Sequence, residues 1–376
     1  MPPIYLDYNA TTPIAPEVIE AMLPYLREHF GNPSSAHPYG AAAREAVEGA
    51  RRAVADLLNA DPNALVFTGS GTESNNLAIE GVARASRGGR NHLIASAIEH
   101  PAVAEVFRWL AGQGFHTSVV PVDEHGRVSP EDLEREIGPQ TLLVSVMHAN
   151  NEVGTIQPVA ELAAIAHRHG ALLHTDAAQS VGKVPVDVDA LGVDLLTVAG
   201  HKLYAPKGVG ALFVRPGVGI APVLHGAGHE RDLRPGTEAV PQIVALGAAA
   251  RLATRGLREE GERLRGLRDR LEAGLRRHVG PEVMRRNGHA HECLPSTLSV
   301  SLRGVRADEL LTRIGDRVAA SAGSACHADD IRLSPVLRAM GVDTEWGMGT
   351  LRLSVGRYTT EDEVDEAVDV VARGIP

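Results

Sequence analysis

Residues 195–214, "LLTVAGHKLYAPKGVGALFV", hold two short apolar runs with a polar insert between them. Each run is bounded by turn-forming residues and is too short for a stable helix, which predicts a strand buried on both faces. The same pattern recurs upstream. Further strand candidates are "ALVFT" from 64, "HLIAS" from 92, "HTSVVP" from 116, "TLLVSVM" from 141 and "ALLHT" from 171, joining "DLLTVA" from 194 and "GALFV" from 210. Helical patterns such as "PAVAEVFRWLAGQG" and "PVAELAAIAHRHG" separate several of them. This alternation predicts an α/β fold with a mostly parallel seven-stranded sheet flanked by helices.

Downstream, Leu257, Leu264, Leu267, Leu271, Leu275 and Val279 form one apolar stripe on a charged helix. That helix is read as the bridge into a smaller α+β domain. The expected division is a large domain over residues 16–252, and a small one made of residues 1–15 and 253–376. The last helix should open at Thr360 with Glu363, the spacing of a capping box.

With 376 residues and a net charge of -10, the chain can build a sizeable core but lacks the positive charge that nucleic acid or anionic membranes select. A small-molecule ligand is expected, with no nucleic acid, no membrane and no metal. Two cysteines, Cys293 and Cys326, make no disulfide framework and fit a reducing compartment. The start "MPPIYLDYNATTP" has neither a basic segment nor an apolar run typical of export, so the expected location is cytoplasmic.

In open α/β sheets ligands bind beyond the carboxyl ends of the strands. The polar residues there are Gly69 to Glu73, Glu99 and His100, His148 to Asn151, Asp176 to Gln179, and Gly200 to Lys202. Of the 37 basic residues only three are lysines, Lys183, Lys202 and Lys207. Arginine cannot serve as an amine nucleophile near neutral pH, whereas a desolvated lysine can form a Schiff base. Lys202, directly after a strand, is the candidate, and Lys183 and Lys207 are read as incidental. Pyridoxal 5'-phosphate is the common cofactor held this way, and it needs a carboxylate, a flat partner and phosphate donors. Asp176, His100 and the turn around Gly71 and Thr72, which leads into a helix, can supply them, with His201 a further phosphate contact.

Taken together, "YLDYNATTP", "FGNPSSAH", "VFTGSGTESNNLAI", "MHANNEVGTIQP", "HTDAAQSVGK", "GHKLYAPKGVGAL", "GAGHERDLRPGTE", "SAGSAC" and "LRLSVGRYTT" resemble the cysteine desulfurases of the class V aminotransferase group, fold type I pyridoxal phosphate enzymes. The resemblance runs nearly end to end. It implies that Lys202 is the Schiff-base lysine, Asp176 the partner of the pyridine nitrogen, His100 the stacking ring and a proton carrier, and Gln179 a donor to the phenolic oxygen. It also implies that Asn151 helps hold the ring or the substrate carboxylate, that Gly71, Thr72 and His201 hold the phosphate, and that Thr237 reaches across from the other subunit of a homodimer. Arg352 would clamp the substrate carboxylate and Cys326, in a run of small residues read as a mobile loop, would accept sulfur from L-cysteine. Cys293 is read as a structural, buried residue.

One departure from the family pattern is Ala199, where a phosphate-binding serine is common. The chain also ends after "VDEAVDVVARGIP" without the longer tail associated with docking an iron-sulfur scaffold, so the sulfur acceptor, whether a scaffold or a sulfur relay, is left open. Selenocysteine lyase, similar in "RPGTE" and "AGSACH", is the near alternative. A non-catalytic subunit of a sulfur-transfer complex is the alternative of another kind.

Overall fold

The computed structural model describes residues 2–86, 89–327 and 330–375, with the side chains of residues 324–332 outside the described set. The strand β1 (Ile4–Tyr5) pairs far along the chain, in parallel, with β11 (Val318–Ala319). The seven predicted strands all form: β2 (Leu65–Thr68), β3 (His92–Ser96), β4 (His116–Val120), β5 (Thr141–Ser145), β6 (Leu172–Asp176), β7 (Leu195–Ala199) and β8 (Gly210–Val214). They make one sheet in the order β2-β8-β7-β6-β5-β3-β4.

Only β8 runs against its neighbours, pairing antiparallel with both β7 and β2. The cause is local. Residues 200–209 join β7 to β8 without a crossover helix, and a direct return of this kind produces an antiparallel pair. With β8 inverted between them, β2 and β7 point the same way, so their carboxyl ends meet on the rim shared with β3, β5 and β6. Every residue of β7 is buried, as expected for a strand covered on both faces.

The helices packed around this sheet are α1 (Pro16–Arg27), α2 (Pro38–Leu58), α3 (Gly71–Ala85), α4 (Pro101–Gly112), α5 (Pro130–Glu136), α6 (Val159–Arg168), α7 (Val188–Leu191) and the first part of α8 (Val240–Val279). One core joins α2, α6 and the start of α8 to one face of the sheet, through Val47, Val54, Leu162, Leu196 and Leu246. A second, with Leu77, Ile79, Phe107 and Leu110 from α3 and α4, covers the other face.

The charged helix begins earlier than its leucine stripe suggests. It starts at Val240 and passes through a non-helical residue, Gly256, before presenting Leu264, Leu267, Leu271 and Leu275 to a separate core. That core includes Leu6 and residues of β10 (Thr297–Leu302), β15 (Thr350–Ser354) and the C-terminal helix Glu361–Gly374. Its sheet has the order β12 (Ser321–Ala322), β15, β10 and β9 (Met284–Arg286). The C-terminal helix opens with the expected capping box, Thr360 accepting from the Glu363 N–H while Glu363 accepts from that of Thr360. Among the described residues, no helix is long and apolar enough to cross a membrane.

Candidate active site

A cavity of about 380 Å³ opens where the strand ends converge, within the usual range for a small-molecule site. Its lining draws together Gly71, Thr72, His100, Asn151, Asp176, Gln179, His201, Lys202 and Arg352, all expected from the sequence. One expected residue lies elsewhere. Thr237 is exposed in the connection that precedes α8 and does not line the cavity of its own chain. Cys326 belongs by its backbone to a ribbon of β13 (Ser324–His327) and β14 (Asp330–Leu333), paired antiparallel, rather than to an irregular loop. Its side chain lies outside the described residues.

Lys202 directly follows β7, in a short helical turn. Its ammonium donates to the backbone carbonyls of Asn9 and of Ala10, the latter at 3.0 Å. Burial, reinforced by the Arg352 charge, pulls its pKa down to about 8 against the opposing pull of Asp176 and Asp7. Roughly a tenth of it is therefore free amine at pH 7, far more than a lysine at its ordinary value would supply. An amine of this kind can act as a nucleophile toward a carbonyl group.

Asp176 ends β6 and is nearly buried. Its Oδ2 accepts from Asn75 Nδ2 at 2.7 Å and its Oδ1 from the Ala178 N–H at 2.9 Å. Both carboxylate oxygens are thus held by donors, one from a side chain and one from the backbone. His100 caps α4, its Nδ1 accepting from the Ala102 N–H, and burial lowers its pKa. His201 is lowered further, to about 4, by burial and then by Lys202. Its Nδ1 is engaged by Thr11 Oγ1 at 3.2 Å, which leaves Nε2 for the cavity it lines.

The turn at Gly71 is built for close approach. Ser70 caps α3 by accepting from the Glu73 N–H, and Glu73 reaches back to the Gly69 N–H at 2.8 Å. A Cβ on Gly71 would come within 2.9 Å of Ala199 Cβ, so the first turn of α3 presses against the end of β7 only because residue 71 is glycine. Ala199, the departure from the family pattern, lines the cavity at that contact and brings no hydroxyl.

Arg352 arrives from β15. Nη2 donates to Asp7 Oδ1 at 2.7 Å and to Ser321 Oγ at 2.9 Å, and Nη1 to the Asn151 carbonyl at 3.3 Å, while its buried Nε has no partner. The guanidinium is thus aimed and only partly satisfied.

Sequence reasoning missed three residues of this site. Asn9 and Asn75 line the cavity, and Asp7 holds Arg352. Asn9 and Asp7 stand inside "YLDYNATTP", and nothing in local spacing marks them. Glu99 and His148, placed on the rim from the sequence, do not line the cavity. Glu99 sits behind it, accepting from the Met147 N–H and Ser96 Oγ, with Oε2 buried and unpartnered. His148 turns to Ser180 Oγ at 2.8 Å. Lys207 is exposed, as an incidental lysine should be. Lys183 is half-buried instead, and its amine contacts the side chains of Gln179 and Asn9. Cys293 is buried, with guanidinium nitrogens of Arg268 and Arg286 each 3.2 Å from its sulfur. Among the described residues, no group of three His, Cys, Asp or Glu side chains is arranged to hold a metal ion.

Comparison with known proteins identifies the family. The family described as Aminotransferase class-V matches residues 4–367. The chain is 46% identical over 369 residues to a protein of Methanosarcina thermophila named cysteine desulfurase IscS, covering 98% of this chain and 91% of that one. Among solved structures it is similar to a NifS-like protein, with a TM-score of 0.93, 38% identity and 99% of both chains covered. It is also similar to one titled SspA in complex with cysteine, with a TM-score of 0.81, 35% identity, and 95% of this chain and 99% of that one covered.

Proposed function

Because the chain belongs to the aminotransferase class-V family, we propose that it is a pyridoxal 5'-phosphate-dependent cysteine desulfurase, which releases L-alanine from L-cysteine and keeps the sulfur on its own Cys326. The observation that carries this reading is the cavity in which Lys202, its pKa lowered to about 8, meets the doubly hydrogen-bonded carboxylate of Asp176 and the partly unsatisfied guanidinium of Arg352. The cofactor fits the residues present. The unpartnered buried atoms Asn75 Oδ1 and Arg352 Nε, both on residues that line the cavity, are features of a site shaped for a polar guest.

When bound, the cofactor supplies an electron sink that acidifies the Cα–H of an amino acid. Lys202 would hold it through its amine. Asp176, oriented by Asn75 and the Ala178 N–H, would face the cofactor's ring nitrogen and accept a hydrogen bond from it. His100 would lie against the ring, and Gln179 would donate to the phenolic oxygen. Gly71, Thr72 and His201 would receive the phosphate at the start of α3, where free N–H groups favour an anion. Ala199 removes one hydroxyl from that set.

Asn151 and Arg352 would orient the substrate carboxylate, Arg352 through its planar fork. Once the substrate's amino group had taken its place on the cofactor, Lys202 Nζ would be free to take the Cα proton, and His100 would carry protons to and from the sulfur. The Cys326 thiolate attacks the substrate sulfur, the substrate Cβ–S bond breaks, and the sulfur remains on Cys326 as a persulfide. The three-carbon remainder leaves as L-alanine once protonated. Thr237, exposed and outside its own cavity, would serve the phosphate of a second copy in a homodimer. The persulfide would pass to an acceptor protein.

The test is to load the chain with pyridoxal phosphate, add L-cysteine, and read the intact mass and the alanine released. One added sulfur per chain with matching alanine supports the reading. An unchanged mass with no alanine refutes it.

A further inference from the structure

The strand end at β6 leads into "AAQSVGK", which closes on Lys183. The residue is half-buried, yet its ammonium lies deep enough that burial, then the charges of Lys202 and Arg352, bring its pKa to about 7. Burying an amine among like charges is costly, so its contacts need a compensating reason. Lys183 Nζ donates to Gln179 Oε1 at 2.8 Å and to Asn9 Oδ1 at 3.3 Å. Both acceptors belong to carboxamides that line the cavity, whereas Lys183 itself does not line it.

A carboxamide has one accepting edge and one donating edge, and without a partner of fixed polarity either edge can face a given direction. An ammonium can only donate. It therefore fixes Gln179 with Oε1 toward Lys183 and Nε2 on the opposite edge, where one hydrogen goes to the Asn9 carbonyl at 2.9 Å and the other remains. The same logic holds for Asn9. With Oδ1 on Lys183, its Nδ2 donates to the Asn151 carbonyl at 3.0 Å and to Thr297 Oγ1 at 2.9 Å. The Asn9 carbonyl, held in turn, accepts from Lys202.

We propose that Lys183 is a positioning residue, which by donating to Gln179 and Asn9 from behind the cavity sets the polarity of both carboxamides and leaves Gln179 with an N–H donor for the ligand. The inference rests on the function proposed above, in which that donor meets the cofactor's phenolic oxygen. A lysine at 183 is required because the task needs a donor that cannot accept while it is charged, at the end of a long, flexible stem.

The test is a double-mutant cycle in the cofactor-stripped full chain, with pyridoxal 5'-phosphate as the probe. Lys183→Met removes the amine and keeps the length. It is expected to weaken binding about tenfold, the usual size for one lost oriented hydrogen bond, and to move the absorbance maximum of the bound cofactor in the same direction as Gln179→Leu does. In the Gln179→Leu background it should add nothing, because residues acting through one contact are not additive. The thermal midpoint of the cofactor-free chain should stay level or rise, since a buried amine has been removed. An equal loss of affinity in both backgrounds, or no loss in either, overturns the proposal. If Lys183→Met does not fold, Lys183→Gln, whose amide can present either edge, enters the same cycle, and the same two outcomes overturn the proposal. A wild-type chain that does not bind pyridoxal phosphate refutes the proposed function and this inference together. Wild-type binding with unaltered binding by the Lys183 variants refutes this inference alone.

Discussion

Asn75 Nδ2 and Asp176 Oδ2 lie 2.7 Å apart on the wall of the cavity, though 101 residues separate them in the chain. One comes from the first turns of α3 and the other from the end of β6. The pair fixes the orientation of the carboxylate at the cavity wall. Removing Asn75 Nδ2 leaves Asp176 one donor, from Ala178. Asn75→Leu is expected to lower kcat for alanine release roughly tenfold or more, since a hydrogen bond to a charged group is worth about 1.5–3 kcal/mol. KM for L-cysteine should move far less, because Asn75 is not assigned to the substrate. An unchanged kcat would mean that Asp176 does not depend on this partner.

Lys202 gives a pH dependence whose sign is fixed. Its amine is protonated, and not nucleophilic, below a pKa of about 8. Uptake of pyridoxal phosphate by the cofactor-free chain should accelerate with rising pH and level off above pH 8. Stopped-flow absorbance between pH 6 and pH 9 reads this directly, and a flat profile would contradict the assignment. After borohydride reduction, the wild-type chain should carry the cofactor covalently and Lys202→Ala should not.

Arg352→Lys keeps a positive charge but loses the planar fork. KM for L-cysteine should rise about tenfold to a hundredfold, the cost of one or two charge-assisted hydrogen bonds. Asp7, which accepts from Nη2, should matter in the same direction, and Asp7→Asn is expected to raise KM less than Arg352→Lys does. Steady-state kinetics with L-cysteine distinguishes the two. A KM that moves in neither variant would remove Arg352 from substrate binding.

Cys326→Ser should retain pyridoxal phosphate with wild-type affinity and acquire no sulfur from L-cysteine. The hydroxyl of serine is neither ionised at neutral pH nor able to hold persulfide sulfur. Intact mass after exposure to L-cysteine is the measurement. A sulfur adduct on the variant would transfer the role to another nucleophile.

Glu99 makes stability itself depend on pH. Burial raises its carboxyl from 4.5 to about 8, against opposing hydrogen bonds from Ser96 and Met147. A folded-state pKa above the unfolded one means that the group's stabilising share is complete below about pH 4.5 and is lost as pH rises through about 8. Glu99→Gln keeps an oxygen for the Ser96 and Met147 donors and cannot ionise. Its thermal midpoint relative to wild type should therefore climb from pH 5 to pH 8. The limiting slope is about 1.4 kcal/mol per pH unit for one proton. A constant difference across that range would show that Glu99 is already ionised in the fold.

Much of this protein is legible in its sequence. The seven strands of the large sheet, the start of α3 and the lysine after β7 follow from signals carried within a few residues: apolar runs, caps and turns. The inversion of β8 is less visible, because an apolar run looks the same in either direction. The ribbon around Cys326 gives no strand signal, since small residues carry no alternation. Tertiary structure alone brings Asp7 and Asn9 to Arg352 and Lys202, across 345 and 193 residues of chain. It also turns Lys183 from an unremarkable basic residue into the buried donor behind Gln179. Periodicity records which face of an element is buried, and no more. Which distant side chain completes a hydrogen bond is decided by how the elements pack, and that information resides in no single segment.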